Sequence, residues 1–455
     1  MRTATLATVL IALSVLVLGA RTIGDSLFAW GAGLGFAALC IAGLKTSTIR
    51  EWLLLAAAII LSVLLLQTEN GWEVFAQAVD LAAFFAAFIL LLTALKIAAE
   101  RSNSVLTVGR YLLRQPPPGR FIATATGGHL LGVFLNFGAI SLLAPLIQNA
   151  AKRSDGTTDT GLERRQLSAL LRGFAWILLW APTTLSQAVL LTLFTDIDMG
   201  KIVSLGIATS VLMIMIGMLY DRVEWRGRTP AHLAPPPFPG LALLRLAIVC
   251  GSLIAATAVL QITWGFTTAL SLMFVAPSVT LLWFAAQRPQ GTAMTRQLAT
   301  FWPALKGNAP GLARSAIALG LSGFIGRALA DVLPMDTLTA QLDFAGVPGW
   351  LFLASLPILI TLGGQVALSP IILVVFIGQV VQTIPSLPAD PTNIVFALSA
   401  GWAISMFASP NATATLLIAA TTNIPPTRLT WGWNLRYGLV CYVVLVVIFA
   451  VIEAI

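Results

Sequence analysis

Charge is scarce in this chain: Asp, Glu, Lys and Arg make up 10% of its 455 residues, against roughly 25% in a typical soluble domain. With 58% of its residues hydrophobic, a soluble fold of this length could not hide its apolar surface from water. A bilayer can take up that surface, because lipid replaces water around the outer helix faces. Histidine is rarer still: His129 and His232 are the two in the chain, too few to build a metal centre from His alone. The three cysteines, Cys40, Cys250 and Cys441, each sit inside an apolar segment and form neither a disulfide framework nor a zinc spacing. An intramembrane enzyme would want paired Asp, a Ser with His or Lys, or a metal cluster. These shortages rank catalysis last among the functional classes.

Long apolar runs recur along the whole chain and leave no room for a soluble domain. Taken at about 20 residues per crossing, the runs predict spans near 4–20, 27–44, 52–67, 75–97, 166–195, 202–220, 241–262, 265–286, 311–331, 393–420 and 435–453. The first run ends at Leu18-Gly19-Ala20-Arg21 without a small-x-small cleavage site, so it reads as a retained helix rather than a signal peptide. The net charge of +8 does not point to nucleic acid, since the basic residues lie in short loops. Placing the N-terminus in the cytoplasm leaves only Arg21, Lys201 and Arg327 of the 26 Lys and Arg residues outside. Glu69, Glu73, Asp196, Asp198, Asp336, Asp343 and Asp390 all fall outside too. The positive-inside rule therefore sets the orientation of an inner-membrane protein, with the C-terminus external.

That orientation decides how two further apolar stretches run. Residues 121–150 start after Arg110, Arg114 and Arg120 and end at Lys152 and Arg153, so both ends are cytoplasmic. Residues 349–386 lie between Asp343 and Asp390, so both ends are external. Each reads as a re-entrant hairpin. The expected fold is thus all-α and polytopic: about 11 transmembrane helices plus two re-entrant hairpins, in two inverted-topology repeats. An extra helix at 1–26 precedes repeats at 27–220 and 241–455, joined by a Pro-rich cytoplasmic linker at 221–240. The repeats match in order of parts. A span with Gly173 and Pro182 follows the first hairpin, and one with Gly401 and Pro410, equally spaced, follows the second.

A proline in a membrane helix is more often a kink than a site. Here it recurs in both halves, flanked by Thr183 and Thr184 in one and by Ser409, Asn411 and Thr413 in the other. Pro182 and Pro410 are therefore expected to break their helices, freeing carbonyls to ligate a small cation and turning half-helix dipoles toward an anion. The hairpin tips, Leu135-Asn136-Phe137-Gly138 with Ser141 and Gly363-Gly364-Gln365 with Ser369, supply neutral donors and acceptors and no Lys or Arg. Glycine is expected to permit their reversals. The predicted anion site lies between Asn136, Ser141, Thr183 and Thr184 of one half and Gln365, Ser369, Asn411 and Thr413 of the other. His129 reads as a packing residue, Asp80 as an interfacial or polar-capped group, and Arg327 and Asp331 as a pair one turn apart.

With these motifs in place, the layout resembles the ion transporter superfamily, most nearly its divalent anion:sodium symporter type, over nearly the whole chain. Asn136 matches the asparagine of that family's Ser-Asn-Thr hairpin signature, with Leu135 and Phe137 in place of its neighbours. The resemblance implies a secondary transporter of a carboxylate-bearing anion, a coupling ion (Na+ or H+) near Asn136, Gly138, Gly364 and Ser409, and no other cofactor. It further implies a homodimer in the lipid bilayer, with helices 27–97 and 241–331 as scaffold and the hairpins and broken helices moving as an elevator. A cation/proton antiporter or inorganic-ion exporter of the same architecture is the main rival. Such exchangers usually need an embedded carboxylate, and the hairpins and broken helices contain none. A non-transporting scaffold or receptor would be expected to lack the polar tips.

Overall fold

The computed structural model describes residues 2–113, 115–152, 157–194, 197–225, 237–289, 291–333, 346–384 and 386–454. Most of the Pro-rich linker with His232 lies outside the described residues, as do Arg114, Arg153, Asp196, Asp336 and Asp343. The first half contains α1 (Arg2–Ile23), α2 (Ser26–Gly43), α3 (Ile49–Leu65), α4 (Gly71–Glu100), α5 (Asn103–Leu113), α6 (Pro117–Leu135), α7 (Gly138–Ala151), α8 (Thr160–Ala175), α9 (Leu185–Leu193) and α10 (Met199–Glu224). The second contains α11 (Gly240–Trp264), α12 (Thr268–Ala286), α13 (Met294–Ala299), α14 (Phe301–Val332), α15 (Gly349–Gln365), α16 (Pro370–Gln382), α17 (Pro391–Ala408), α18 (Thr413–Thr422) and α19 (Leu435–Ala454). The chain is an all-helical, multi-pass membrane protein.

Among the described residues, nine segments are long and apolar enough to cross a membrane. The other two expected spans differ for local reasons. Helix α3 has 17 residues, and the segment at 166–195 is interrupted between α8 and α9. Two helices escaped the sequence reading. Helix α5 is an 11-residue amphipathic helix that buries Val105 and Val108, and α13 is a short turn before α14.

The two apolar stretches read as hairpins do fold as helical hairpins, α6–α7 and α15–α16. Their tips differ from expectation. The left-handed backbone falls on Asn136 (φ 50°) and Ala367 (φ 64°), not on the tip glycines. Asparagine tolerates such a conformation through its short polar side chain. The second turn is Val366–Ser369, with Gly363, Gly364 and Gln365 still in the last turn of α15.

Helices α1–α4, α11, α12 and α14 pack into one block, with α14 against α4 as its spine. Small residues let the two approach: a methyl at Gly320 would come 2.8 Å from the Ala82 carbonyl. The hairpins, the broken helices, α10 and α19 form a second block, which meets the first where α16 lies on α14. Inside the second block Arg172 of α8 is buried (3% exposed). It donates to the Asn434 side-chain oxygen (2.7 Å) and the Trp433 carbonyl (3.3 Å), and its guanidinium lies over the rings of Tyr437 (4.4 Å) and Tyr220 (5.1 Å). Tyr437 in turn accepts from Trp176 (2.8 Å) and donates to the Met213 carbonyl (3.0 Å). Ring faces and neutral acceptors thus solvate a buried cation that fastens α8, α10 and α19 together. Replacing Arg172 with Met strands the Asn434 and Trp433 acceptors. We expect a loss on the order of 2–4 kcal/mol, read as a lower melting temperature in detergent, with Arg172→Lys intermediate because it keeps charge but not the planar fork.

Candidate functional site

In each half, the helix after the hairpin is broken at its proline. Helix α8 continues as a 3-10 turn, Trp176–Leu179, and the chain then crosses Trp180–Thr184 before α9. Helix α17 ends at Ala408, and α18 starts after Ser409–Ala412. Broken backbone at membrane depth must be satisfied internally, and a buried side chain does so in each case. Gln187 donates to the Leu178 (2.8 Å) and Leu179 (3.0 Å) carbonyls, and Ser186 also donates to Leu178 (3.1 Å). Thr415 donates to the Met406 carbonyl (2.9 Å). Leu178 and Met406, like Gln187 and Thr415, stand as far apart in the sequence as Pro182 and Pro410, so one solution recurs in both halves. The Leu178, Leu179 and Met406 carbonyls, freed at the breaks, thus each accept from a protein donor.

The same correspondence joins each break to its hairpin. The Thr183 hydroxyl donates to the Val133 carbonyl of α6 (2.6 Å). Asn411, its counterpart, donates to the Gly364 and Gln365 carbonyls of α15 (3.1 Å each). Gly173 and Gly401 make the close approach possible. A methyl there would meet the Ala125 carbonyl at 2.0 Å or the Pro357 Cα at 2.8 Å. His129 completes the first clasp: Trp180 Nε1–H donates to its Nε2 (3.1 Å), which leaves Nδ1–H to donate to the Gly173 carbonyl (3.0 Å). The imidazole is fully satisfied, in keeping with a packing role.

The remaining predicted residues separate by location. The Thr184 hydroxyl turns back to the Ala181 carbonyl (2.7 Å) and is fully buried; the Ser141 hydroxyl donates to the Phe137 carbonyl (3.3 Å). Ser409 donates to the Gly364 carbonyl (2.7 Å). Gln365 donates to Thr361 (3.1 Å) and Ala408 (3.3 Å) and accepts from Trp431 (3.0 Å). Ser369 precedes α16 and is buried. The hydrogen bonds of these side chains stay within their own half of the chain. The Asn136 side-chain oxygen is buried with no donor. Gly138 sits on the methylenes of Lys96, whose carbons lie about 3.0 Å from where a Cβ would stand.

The halves are joined by their half-helices. Gln148 of α7 donates to the Thr422 carbonyl at the end of α18 (3.1 Å). Gln382 of α16 donates to the Leu193 carbonyl at the end of α9 (3.0 Å). Each hairpin's second arm therefore runs parallel to the other half's post-break helix, and the four N-termini come together at the opposite end. Phe137, Leu185, Ile371 and Thr413, at the starts of α7, α9, α16 and α18, line one cavity of about 250 Å³. None of these four N-termini is capped by a side chain. The facing wall is Arg50 and Glu51 of α3, Ile89 of α4, and a stripe of α14 comprising Gly311, Arg314, Ser315, Ala318, Leu319 and Ser322. Glu51 accepts from the Thr48 amide and hydroxyl (2.6 Å each), which ties its carboxylate to the start of α3.

Of the eight residues predicted to bind the anion, Thr413 reaches this cavity directly. Asn136 and Thr184 each stand one residue from a lining residue. Neither hairpin tip carries a Lys or Arg, as the sequence shows, while Arg50 and Arg314 line this cavity from the other block. Four helix N-termini, each equivalent to roughly half a positive charge, and two guanidiniums against one capped carboxylate make an electropositive pocket. Gln187→Leu strands the Leu179 carbonyl, while Ser186 still serves Leu178. We expect a loss of about 1–3 kcal/mol per stranded carbonyl, seen as a fall in melting temperature, with Gln187→Asn partly retaining the bond.

No family profile matches the sequence, and no curated protein matches it. Solved structures do resemble it in fold. The YdaH transporter of Alcanivorax borkumensis superimposes with a TM-score of 0.59 at 16% identity, over 89% of this chain and 98% of that one. MtrF of Neisseria gonorrhoeae, described among antimetabolite efflux pumps, gives a TM-score of 0.57 at 12% identity, over 90% of this chain and 96% of that one. The chain shares the fold of these two membrane proteins.

Proposed function

We propose that this protein is a secondary active transporter of a small, carboxylate-bearing anion, coupled to a cation. The observation that carries it is the meeting of four half-helix N-termini with Arg50 and Arg314 around one cavity of about 250 Å³. A volume slightly below the ~300–1,000 Å³ of drug-sized pockets suits a small ion. Ile89, Phe137, Leu185, Leu319 and Ile371 give it apolar walls, so the cargo combines an anionic head with an apolar body. The fold shared with a transporter and an efflux pump supports the class. The buried, donor-free oxygen of Asn136 is the ligand offered to a coupling Na+; coupling to H+ would need a titratable group elsewhere. With the N-terminus cytoplasmic, Arg50 and Arg314 open this site toward the cytoplasm of an inner membrane. Movement of the hairpin block along α4 and α14 would supply alternating access of the elevator kind.

A thermal-shift screen of the purified protein against carboxylates, in sodium and in potassium, tests this. A bound carboxylate at a hundred times its dissociation constant should stabilise the fold by about 2.7 kcal/mol. Arg314→Gln should weaken that ligand on the order of 30-fold through loss of a charge-assisted contact. Shifts with metal cations alone, and none with any anion, would remove the proposal. A sodium requirement would select sodium over protons as the coupling ion.

A further inference from the structure

A second cavity, of about 420 Å³, lies at the far ends of the same helices. Where the first cavity touches Leu185 and Ile371 at the starts of α9 and α16, this one touches Leu191–Leu193 and Gln379 near their ends. It shares α4 through Gln77, Asp80, Leu81 and Phe84, and α14 through Arg327. On α14 the two arginines, Arg314 and Arg327, are thirteen residues apart, about 20 Å at 1.5 Å per residue. Between the cavities Phe85 seats on Gly323 and Val375 on Gly326: a methyl at either glycine would come within 2.5 or 2.7 Å of the neighbour. Both cavities line the surface where the hairpin block meets the α4–α14 spine.

The second cavity repeats the charge pattern of the first, two guanidiniums to one carboxylate. Arg21 comes from the last turn of α1, pairs with Asp80 and lies over the Phe84 ring at 5.3 Å. Arg327 donates to the neutral Gln77 side chain (2.9 Å) and interacts electrostatically with Asp331, the partner the sequence had suggested, and with Glu73. Gln77 is itself backed by Glu73 (3.3 Å), and Asp331 accepts from Thr68 (3.5 Å). These donors are neutral, so both carboxylates keep their charge beside Arg327, and an arriving anion competes with them for the guanidinium. Half-exposed ion pairs such as Arg21–Asp80 contribute little to stability. Two arginines from different helices on a cavity wall are placed for recognition.

We propose that this cavity is a second anion-docking station at the opposite end of the hairpin block's travel, where Arg21 and Arg327 receive the anion that Arg50 and Arg314 hold at the first. The inference rests on the anion-transport reading, and it gives α1 a role: the extra helix supplies one of the two cations. The test is flux of radiolabelled benzoate, succinate and phosphate in right-side-out and inverted vesicles. Arg21→Gln and Arg327→Gln should each raise the KM at the face bearing this cavity about tenfold, as loss of a charge-assisted bond does, and change it less than about twofold at the other face. Arg327→Lys should recover part of the loss. Arg21, near the end of α1 and half-exposed, gives a readout should the Arg327 variant fold poorly. Equal effects at both faces, or none at the near face, would overturn the station while leaving transport itself intact. Wild-type vesicles that move none of the probes would overturn the transport reading and the station together.

Discussion

Everything in this structure depends on one constraint: backbone carbonyls and amides at membrane depth have no water to turn to. The chain interrupts two helices at that depth and then closes the gaps with side chains. Gln187 spans one interruption and Thr415 the other, while Thr183 and Asn411 fasten the loose backbone to the neighbouring hairpin. Only because these bonds absorb the carbonyl side of each break can the amide side, the uncapped starts of α9 and α18, be presented to a cavity. The break is thereby polarised.

A second layer of order follows from where cations were put. Within the hairpins and broken helices the positive field at the cavity comes from backbone, whereas the opposing wall carries formal charge on Arg50 and Arg314. Split this way, each block supplies only part of the cavity's positive field. The cationic Arg172 has a different task. It is buried among rings and neutral acceptors and holds the hairpin block together.

Much of the fold could be read from the sequence, because apolar length and loop charge are collective signals that survive local error. The two helical hairpins and the first helix emerge from them. Helix α5 was not legible: its 11 residues are too few for a span, and amphipathic packing rather than hydropathy defines it. The site was legible only in part. Asn136, which stands beside the cavity, and the breaks stand out in the sequence because their residue types are unusual for apolar segments. Arg314 was read as one more cytoplasmic basic residue, because orientation bias makes any arginine near that face look alike. A signal did exist in Gly311, Arg314, Ser315, Ala318 and Ser322, small and polar residues along one face of α14. The tip glycines misled for the opposite reason. Glycine serves both reversal and close packing, and here packing against Lys96 and Ser409 took precedence.

The crossed glutamine bonds of Gln148 to Thr422 and Gln382 to Leu193 bear on how the chain is assembled during synthesis. When the first half leaves the ribosome, α7 and α9 have no parallel partners, since these lie in α18 and α16, far downstream. Until those are made, the first hairpin has partners only within its own half, α8, α5 and α4 among them, with the Thr183 and His129 clasps. It is completed only when translation has reached Thr422. The two halves are thus not independent modules: each supplies half-helices whose parallel partners lie in the other.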